Sequence, residues 1–319
     1  MKTVGFIGLG NVGAKLAGTL LRNKVALTIR DLDKSAAQPL LDAGAKWADS
    51  PKEMAENCDI IITCLPSPTI SAAVMEADDG ILAGMSEGTV WAEMSTTDEE
   101  EVKRLGAMVE ARGGHAVDCP VSGGCHRAAT GNIAIFAGCE RAVFDEMLPY
   151  LTKMGRRILH TGPLGSASVL KVVTNYLATA NLVSVAEALA TCKAAGMDLN
   201  TSFEAIKISS GNSFVHETES QVILNGSRDI NFTMDLVLKD IGLFDEVAKR
   251  AGLDLQLSPM LVNMFKEAIA KYGPRELSPN IIKKYEEQAG LDVTAAGFPA
   301  EILDDEPEEP GYEIVPVGR

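Results

Sequence analysis

Val4-Gly5-Phe6-Ile7-Gly8-Leu9-Gly10-Asn11-Val12-Gly13-Ala14-Lys15-Leu16 decides the architecture of this 319-residue chain. Val4 to Ile7 is an apolar run of strand length, and Ala14 to Arg22 has the spacing of an amphipathic helix. Each glycine between them has its own task. Gly8 turns the chain out of the strand, Gly10 lets the backbone approach a pyrophosphate, and Gly13 lets helix and strand pack closely. Phosphates are expected on Gly8, Gly10, Asn11, Val12 and Gly13, where the unpaired N–H groups and dipole of a helix N-terminus favour anions. A second strand, Val25 to Ile29, leads to Asp31. At that spacing a carboxylate takes the adenosine ribose hydroxyls and repels a 2′-phosphate, so NAD is the expected cofactor. Arg30 and Lys34 pull the other way, because a nearby cation would tolerate the phosphate of NADP.

Working outward, further apolar runs at Ile60 to Leu65, Val90 to Met94, Ala116 to Val121 and Ile133 to Ala137 alternate with helix-like segments. That alternation predicts an α/β, Rossmann-type doubly wound sheet over residues 1–164. After the turn His160-Thr161-Gly162-Pro163-Leu164-Gly165 the pattern changes. Ser166 to about Ala195 contains no Gly or Pro and is rich in Ala, Leu and Val, which predicts one long helix ended by Gly196. Helical patterns follow at Asn200 to Ser209, Phe214 to Leu224, Met234 to Ala251, Ser258 to Lys271 and Pro279 to Ala289, with no strand signal. Residues 165–298 are thus expected to be an all-helical domain, and a small substrate is expected in the cleft between domains.

Composition narrows the function. A net charge of -15 and the lack of any basic stripe argue against nucleic acid and anionic membranes as partners. The six cysteines form no Cys-x-x-Cys pair and the histidines show no ligand spacing, so no metal is expected and a reducing compartment fits. The sequence opens on a strand-like run with no leader, and no uninterrupted apolar stretch of bilayer length is evident; the cytoplasm is the expected location. Residues 299–319 hold seven carboxylates, one arginine and four prolines, which reads as an extended tail outside the core. Such a tail is either a solvated end or a strap along a neighbouring subunit.

Two further segments carry candidate chemistry. Ser122-Gly123-Gly124 follows a strand, and a hydroxyl before two glycines leaves N–H groups uncovered for a substrate carboxylate, although the same tripeptide also serves as a plain turn. Lys171 and Asn175 stand four apart on the long helix among Val169, Leu170, Val172, Val173 and Leu177. A lysine there either snorkels or places an ammonium in a cleft. Hydride transfer to a carbonyl needs a group that protonates the developing oxyanion and takes the proton back in reverse, which lysine can do. Its pKa of about 10.4 would fall towards roughly 7 to 8 on burial, against the opposing field of an acidic chain.

Taken in order, these segments resemble the β-hydroxyacid dehydrogenase family, which includes 3-hydroxyisobutyrate dehydrogenase and tartronate semialdehyde reductase. The resemblance runs from Gly5-Phe6-Ile7-Gly8-Leu9-Gly10 through Leu65-Pro66, Met94-Ser95-Thr96 and Asp118-Cys119-Pro120-Val121-Ser122-Gly123-Gly124. It continues through Gly162, Gly165, Lys171 and Asn175 to Ser210-Gly211-Asn212-Ser213 and Lys239-Asp240. It implies an NAD-dependent oxidoreductase of a small β-hydroxy acid, working in either direction. Ser122, Gly123 and Gly124 would bind the substrate carboxylate, Lys171 would be the acid/base, and Asn175 would orient substrate. Leu65, Pro66 and Thr96 would line the dinucleotide, and Lys239 would reach its nicotinamide end. A homodimer or homotetramer through the helical domain is also implied.

Two departures stand out. Many members have a second asparagine after the position of Asn175, where this chain has Tyr176, and small residues where it has Cys125-His126-Arg127. Arg127 either clamps a second anionic group of the substrate or lies in a surface loop beside the cleft. The alternatives to a hydroxyacid dehydrogenase are a non-catalytic NAD-binding module and an imine reductase-like enzyme. Both usually replace the lysine that this chain keeps as Lys171.

Overall fold

The computed structural model describes residues 2–318; Met1 and Arg319, the outermost residues of the expected nucleotide domain and tail, lie outside them. The chain divides into two compact units, residues 1–171 with 304–319, and residues 172–303.

The first unit is built on β1 (Val4–Ile7), which enters α1 (Gly13–Arg22) and returns in β2 (Leu27–Arg30). Then come α2 (Gln38–Asp42), β3 (Lys46–Trp47), α3 (Pro51–Asn57), β4 (Ile60–Thr63), α4 (Pro68–Glu76), α5 (Ile81–Gly84) and β5 (Val90–Glu93). The unit continues through α6 (Glu99–Glu110), β6 (His115–Asp118), β7 (Val121–Ser122), α7 (Gly124–Thr130), β8 (Ala134–Gly138), α8 (Arg141–Leu151) and β9 (Arg157–Gly162). Its sheet has the order β10-β9-β8-β6-β5-β4-β1-β2-β3, where β10 is Tyr312–Ile314 and β7 pairs with β8 off this path. All pairings are parallel except those of β6 and β7 with β8.

The sheet is covered on both faces. Ile60 and Ile62 of β4 belong to one apolar cluster and Ile61 to another, as strand alternation requires, and none of the three is exposed. β1 lies between β2 and β4, where the strand order reverses; ligands of open α/β sheets bind outside the carboxyl ends of strands at such a point.

Three strand expectations change in detail. Ala116 to Val121, read as one strand, is split into β6 and β7, because Pro120 between them has no N–H to donate to a ladder. The segment read as a turn from His160 begins as the end of β9. The tail, read as lying outside the core, supplies β10, which pairs in parallel with β9 through Tyr312↔Arg157 and Ile314↔Leu159. This part of the tail is thus paired along the sheet edge of its own chain. A Cβ at Gly311 would lie 2.1 Å from the carbonyl oxygen of Gly155, so the tail's approach to the sheet edge needs a bare backbone.

Helix α9 (Ser166–Ala194) leaves the first unit, and Gly196 beyond it has φ +75°. The second unit adds α10 (Leu199–Lys207), α11 (Phe214–Asn225), α12 (Met234–Arg250), α13 (Leu257–Tyr272) and α14 (Lys283–Ala289). Its core gathers Ala186, Leu189, Val237, Ile241, Phe265 and Ile281. Contrary to expectation, α9 is long and apolar enough by length and composition to cross a membrane. Ala186 and Leu189 are nevertheless wholly buried within the second unit, as in the core helix of a globular domain. Tyr176, the residue in place of the second asparagine, stacks on Phe244 of α12 with ring centroids 4.1 Å apart.

Candidate active site

At the end of β1 the three glycines differ in what surrounds them. A Cβ on Gly13 would lie 2.0 Å from the carbonyl oxygen of Gly8, and one on Gly8 would lie 2.3 Å from that of Cys64. Both positions are closed by backbone. At Gly10 nothing lies within 4 Å of the would-be Cβ, so this backbone faces open space at the start of α1. The turn therefore fits a dinucleotide pyrophosphate: two glycines make the bend possible and the third leaves the approach clear. Asn11 is exposed and Val12 half-buried on the same rim.

Asp31 sits over this turn. One carboxylate oxygen accepts the Leu9 N–H at 2.5 Å and the other the Asp33 N–H at 3.0 Å. The two cations that favoured NADP are engaged elsewhere. Arg30 donates to the carbonyls of Ala48 and Asp49, and Lys34 lies 5.0 Å above the Trp47 ring. Leu65 donates its N–H to Ser95 at 2.7 Å, and its side chain lies against Gly8. Pro66 is exposed and Thr96 half-buried. Cys64 lies beneath the turn, but burial foremost, with the charges of Glu93 and Cys125, pushes its thiol up to about 12, so it is no nucleophile.

The Ser122–Gly124 segment is built by dihedral angles. Ser122 pairs with Ala134 of β8, and Gly123 and Gly124 have φ +130° and +86°, which side chains with a Cβ rarely adopt. Gly123 also faces the Arg127 side chain, whose Cδ would be 3.2 Å from an added Cβ.

Lys171 is only 8% exposed, whereas Leu170 and Leu177 on the same helix are 39% and 52% exposed. The lysine is thus buried and the leucines exposed, the reverse of the usual placing of these residue types on a helix. Asp118, at the end of β6, fixes the start of this helix: its carboxylate accepts the Ser168 N–H at 2.6 Å and the Ser168 hydroxyl at 2.8 Å. Burial is the first cause that pushes Asp118 up to about 7, against the lowering effect of those hydrogen bonds. In the second unit, Asp240 is the hub. It accepts the Asn175 side-chain amide and pairs with Lys239 at 2.7 Å.

Arg127, expected either as a clamp or in a loop, has partners in its own chain. Its guanidinium donates to Glu306 at 2.9 Å and lies 4.0 Å from Asp304, both in the tail. Sequence reasoning missed Asp118 and Asp240 as positioning residues, although both stand inside the quoted motifs. A buried carboxylate beside a motif is the signal that marks them.

Residues 3–162 match the NAD binding domain of 6-phosphogluconate dehydrogenase, and residues 165–285 match the NAD-binding family of NADP-dependent 3-hydroxyisobutyrate dehydrogenase. The chain is 33% identical over 292 residues to 2-(hydroxymethyl)glutarate dehydrogenase of Eubacterium barkeri, covering 91% of this chain and 97% of that one. It is 32% identical over 291 residues to NAD-dependent L-serine dehydrogenase of Pseudomonas aeruginosa, covering 89% and 97%. Among solved structures, 3-hydroxyisobutyrate dehydrogenase from Salmonella typhimurium superposes with a TM-score of 0.80 at 28% identity, covering 88% of this chain and 99% of that one. An imine reductase from Myxococcus stipitatus, at 17% identity over 89% of this chain and 99% of that one with a TM-score of 0.62, shares the fold alone. With family models matched over residues 3–162 and 165–285 and relatives above 30% identity over most of both chains, the chain belongs to the β-hydroxyacid dehydrogenases, NAD-dependent oxidoreductases of small β-hydroxy acids.

Proposed function

We propose that Lys171 is the general acid/base of this dehydrogenase and that Ser122, Gly123 and Gly124 bind the substrate carboxylate. The supporting observation is the Asp118–Ser168 link, which ties the strand leading into Ser122 to the helix turn that carries Lys171. Oxidation removes a proton from the substrate hydroxyl and a hydride from the carbon that bears it. Bound NAD supplies the hydride acceptor. Lys171 Nζ, entering as the neutral amine, takes the proton; in the reverse direction its ammonium protonates the forming hydroxyl. Asn175 orients the substrate without titrating, and Asp240 fixes its amide. Lys239 is assigned to the nicotinamide end, and Leu65, Pro66 and Thr96 to the dinucleotide wall.

NAD is assigned over NADP, supported by the Asp31 carboxylate beside the glycine turn while Arg30 and Lys34 are turned to other partners. Asp31→Asn should shrink the NAD-to-NADP ratio of kcat/KM by about tenfold, the order expected of one charged hydrogen bond. We also assign a cytoplasmic location, supported by six cysteines that form no disulfide among the described residues. A homo-oligomer is supported by the exposed apolar side chains Leu170, Leu177, Ile208 and Phe214.

Two relatives are named for substrates that differ beyond the hydroxy-acid unit, a glutarate with a second carboxylate and L-serine with an amino group. The proposal is tested with purified protein, NAD and a panel of β-hydroxy acids bearing no further charge, an amino group or a second carboxylate, followed by NADH absorbance. Turnover of at least one member is expected; NAD binding with no turnover of any would contradict the reading.

A further inference from the structure

We infer that the C-terminal tail sets the charge of the accepted substrate: Glu306 and Asp304 occupy Arg127 beside the Ser122–Gly124 segment, so that a second substrate anion is rejected there. The inference rests on the proposed carboxylate role of that segment.

Arg127 is the one cation within the five residues that follow Ser122, and its stem packs against Gly123. Its guanidinium is already met by two carboxylates of its own chain, Glu306 at 2.9 Å and Asp304 at 4.0 Å. Asp304 is firmly placed. It is 3% exposed by its side chain and accepts the Thr130 hydroxyl and the Asn132 side-chain amide. Burial raises its pKa, but these hydrogen bonds, the Glu306 N–H and the Arg127 charge together hold it below the ordinary aspartate value. The Glu306 carbonyl accepts Asn132 as well, at 2.8 Å, so backbone and side chain are fixed together.

The rest of the tail is anchored by charge and by pairing. Glu308 approaches Arg22 at 3.6 Å, Glu309 pairs with Arg156, Glu313 pairs with Arg141 at 2.6 Å, and β10 completes the sheet edge. A guanidinium that would otherwise suit a substrate carboxylate is thus engaged by carboxylates of its own chain. Arg157 also reaches Glu306, at 3.4 Å, so two carboxylates and two guanidinium groups balance one another and leave no uncompensated cation for a second substrate anion. A neutral or amino-bearing β-hydroxy acid meets no penalty there, whereas a second carboxylate gives up water beside Glu306 and gains no cation in return.

The experiment compares wild type, Glu306→Gln and the double variant Glu306→Gln/Arg127→Ala, using 3-hydroxypropanoate and a β-hydroxy acid with a second carboxylate. Glu306 is 40% exposed by its side chain, so its amide should preserve the fold, which is checked by the thermal midpoint. We expect wild type to favour the singly charged acid. Glu306→Gln should keep that turnover and raise relative kcat/KM for the diacid at least tenfold, as expected when a like-charge contact is removed. The double variant should lose the gain. An unchanged ratio in Glu306→Gln, a gain that survives Arg127→Ala, or a wild type that favours the diacid would each overturn the inference. Silence of the wild type towards every β-hydroxy acid despite NAD binding would instead bring down the underlying site assignment, and the inference with it.

Discussion

The two glycine turns of the first unit use one residue type for different reasons. At Gly8–Gly13 backbone space dominates: added Cβ atoms would strike backbone oxygens at Gly8, which also has φ +98°, and at Gly13, while Gly10 is open. At Gly123–Gly124 the constraint is conformation, with φ of +130° and +86°. The first turn is a rigid bend with one clear face, suited to a large ligand that lies along it. The second is a small concave turn set by backbone angles and, through Arg127, coupled to the tail. A glycine pattern alone does not separate these cases; what lies around each would-be Cβ does.

Substitution within the first turn gives the sharpest contrast. Gly13→Ala must move backbone, and a loss of about 3 kcal/mol or more in unfolding free energy is expected, as for severe overpacking, together with loss of NAD binding. Gly10→Ala should leave stability within about 0.5 to 1 kcal/mol of wild type, the cost range of a tolerated surface change, yet weaken NAD at least tenfold. Denaturant melts and NAD titration check both. Equal effects of the two variants would erase the distinction between closed and open glycines.

The second turn should respond more mildly. Gly124→Ala is forced into a positive φ at a cost of about 1 to 3 kcal/mol, and is expected to raise KM for the hydroxy acid while leaving NAD affinity unchanged. A variant that loses NAD and substrate alike would mean that the turns are not functionally separate.

A separate effect expected is a change in slope with pH. The Asp118 pKa is pushed up to about 7 in the fold, against an ordinary value of 3.8. Between those values the folded chain holds a proton that the unfolded chain has released, so this group makes stability fall as pH rises, and above the upper value its contribution is level. Asp118→Asn removes that titration. Its unfolding free energy should therefore decline less than that of wild type between pH 5 and pH 8, as read from urea melts. Parallel curves would show that Asp118 does not titrate in this window.

Much of this was legible in the sequence because it is local. The first glycine turn, the strand runs at β4 and β5, and the long Gly- and Pro-free helix each declare themselves within a few residues. The short strand β3 was missed because Lys46–Trp47 has too few residues to show alternation. β10 was missed because its partner, β9, lies some 150 residues earlier, and a charge-rich, proline-containing segment has the composition of a solvated tail. The role of Arg127 was hidden for the same reason, since its two carboxylate partners come from that tail. Asp118 and Asp240 were visible as residues but not as partners, because hydrogen bonds to Ser168 and Asn175 depend on the folded path.

The central claim is that Lys171 moves the proton. Its most direct test is the rate of NADH formation from the best β-hydroxy acid by wild type and Lys171→Ala, with NAD affinity measured for both. The account predicts that kcat falls by about a hundredfold to ten-thousandfold, the range for loss of a general acid/base, while NAD binds as before. Wild-type turnover in Lys171→Ala would contradict it.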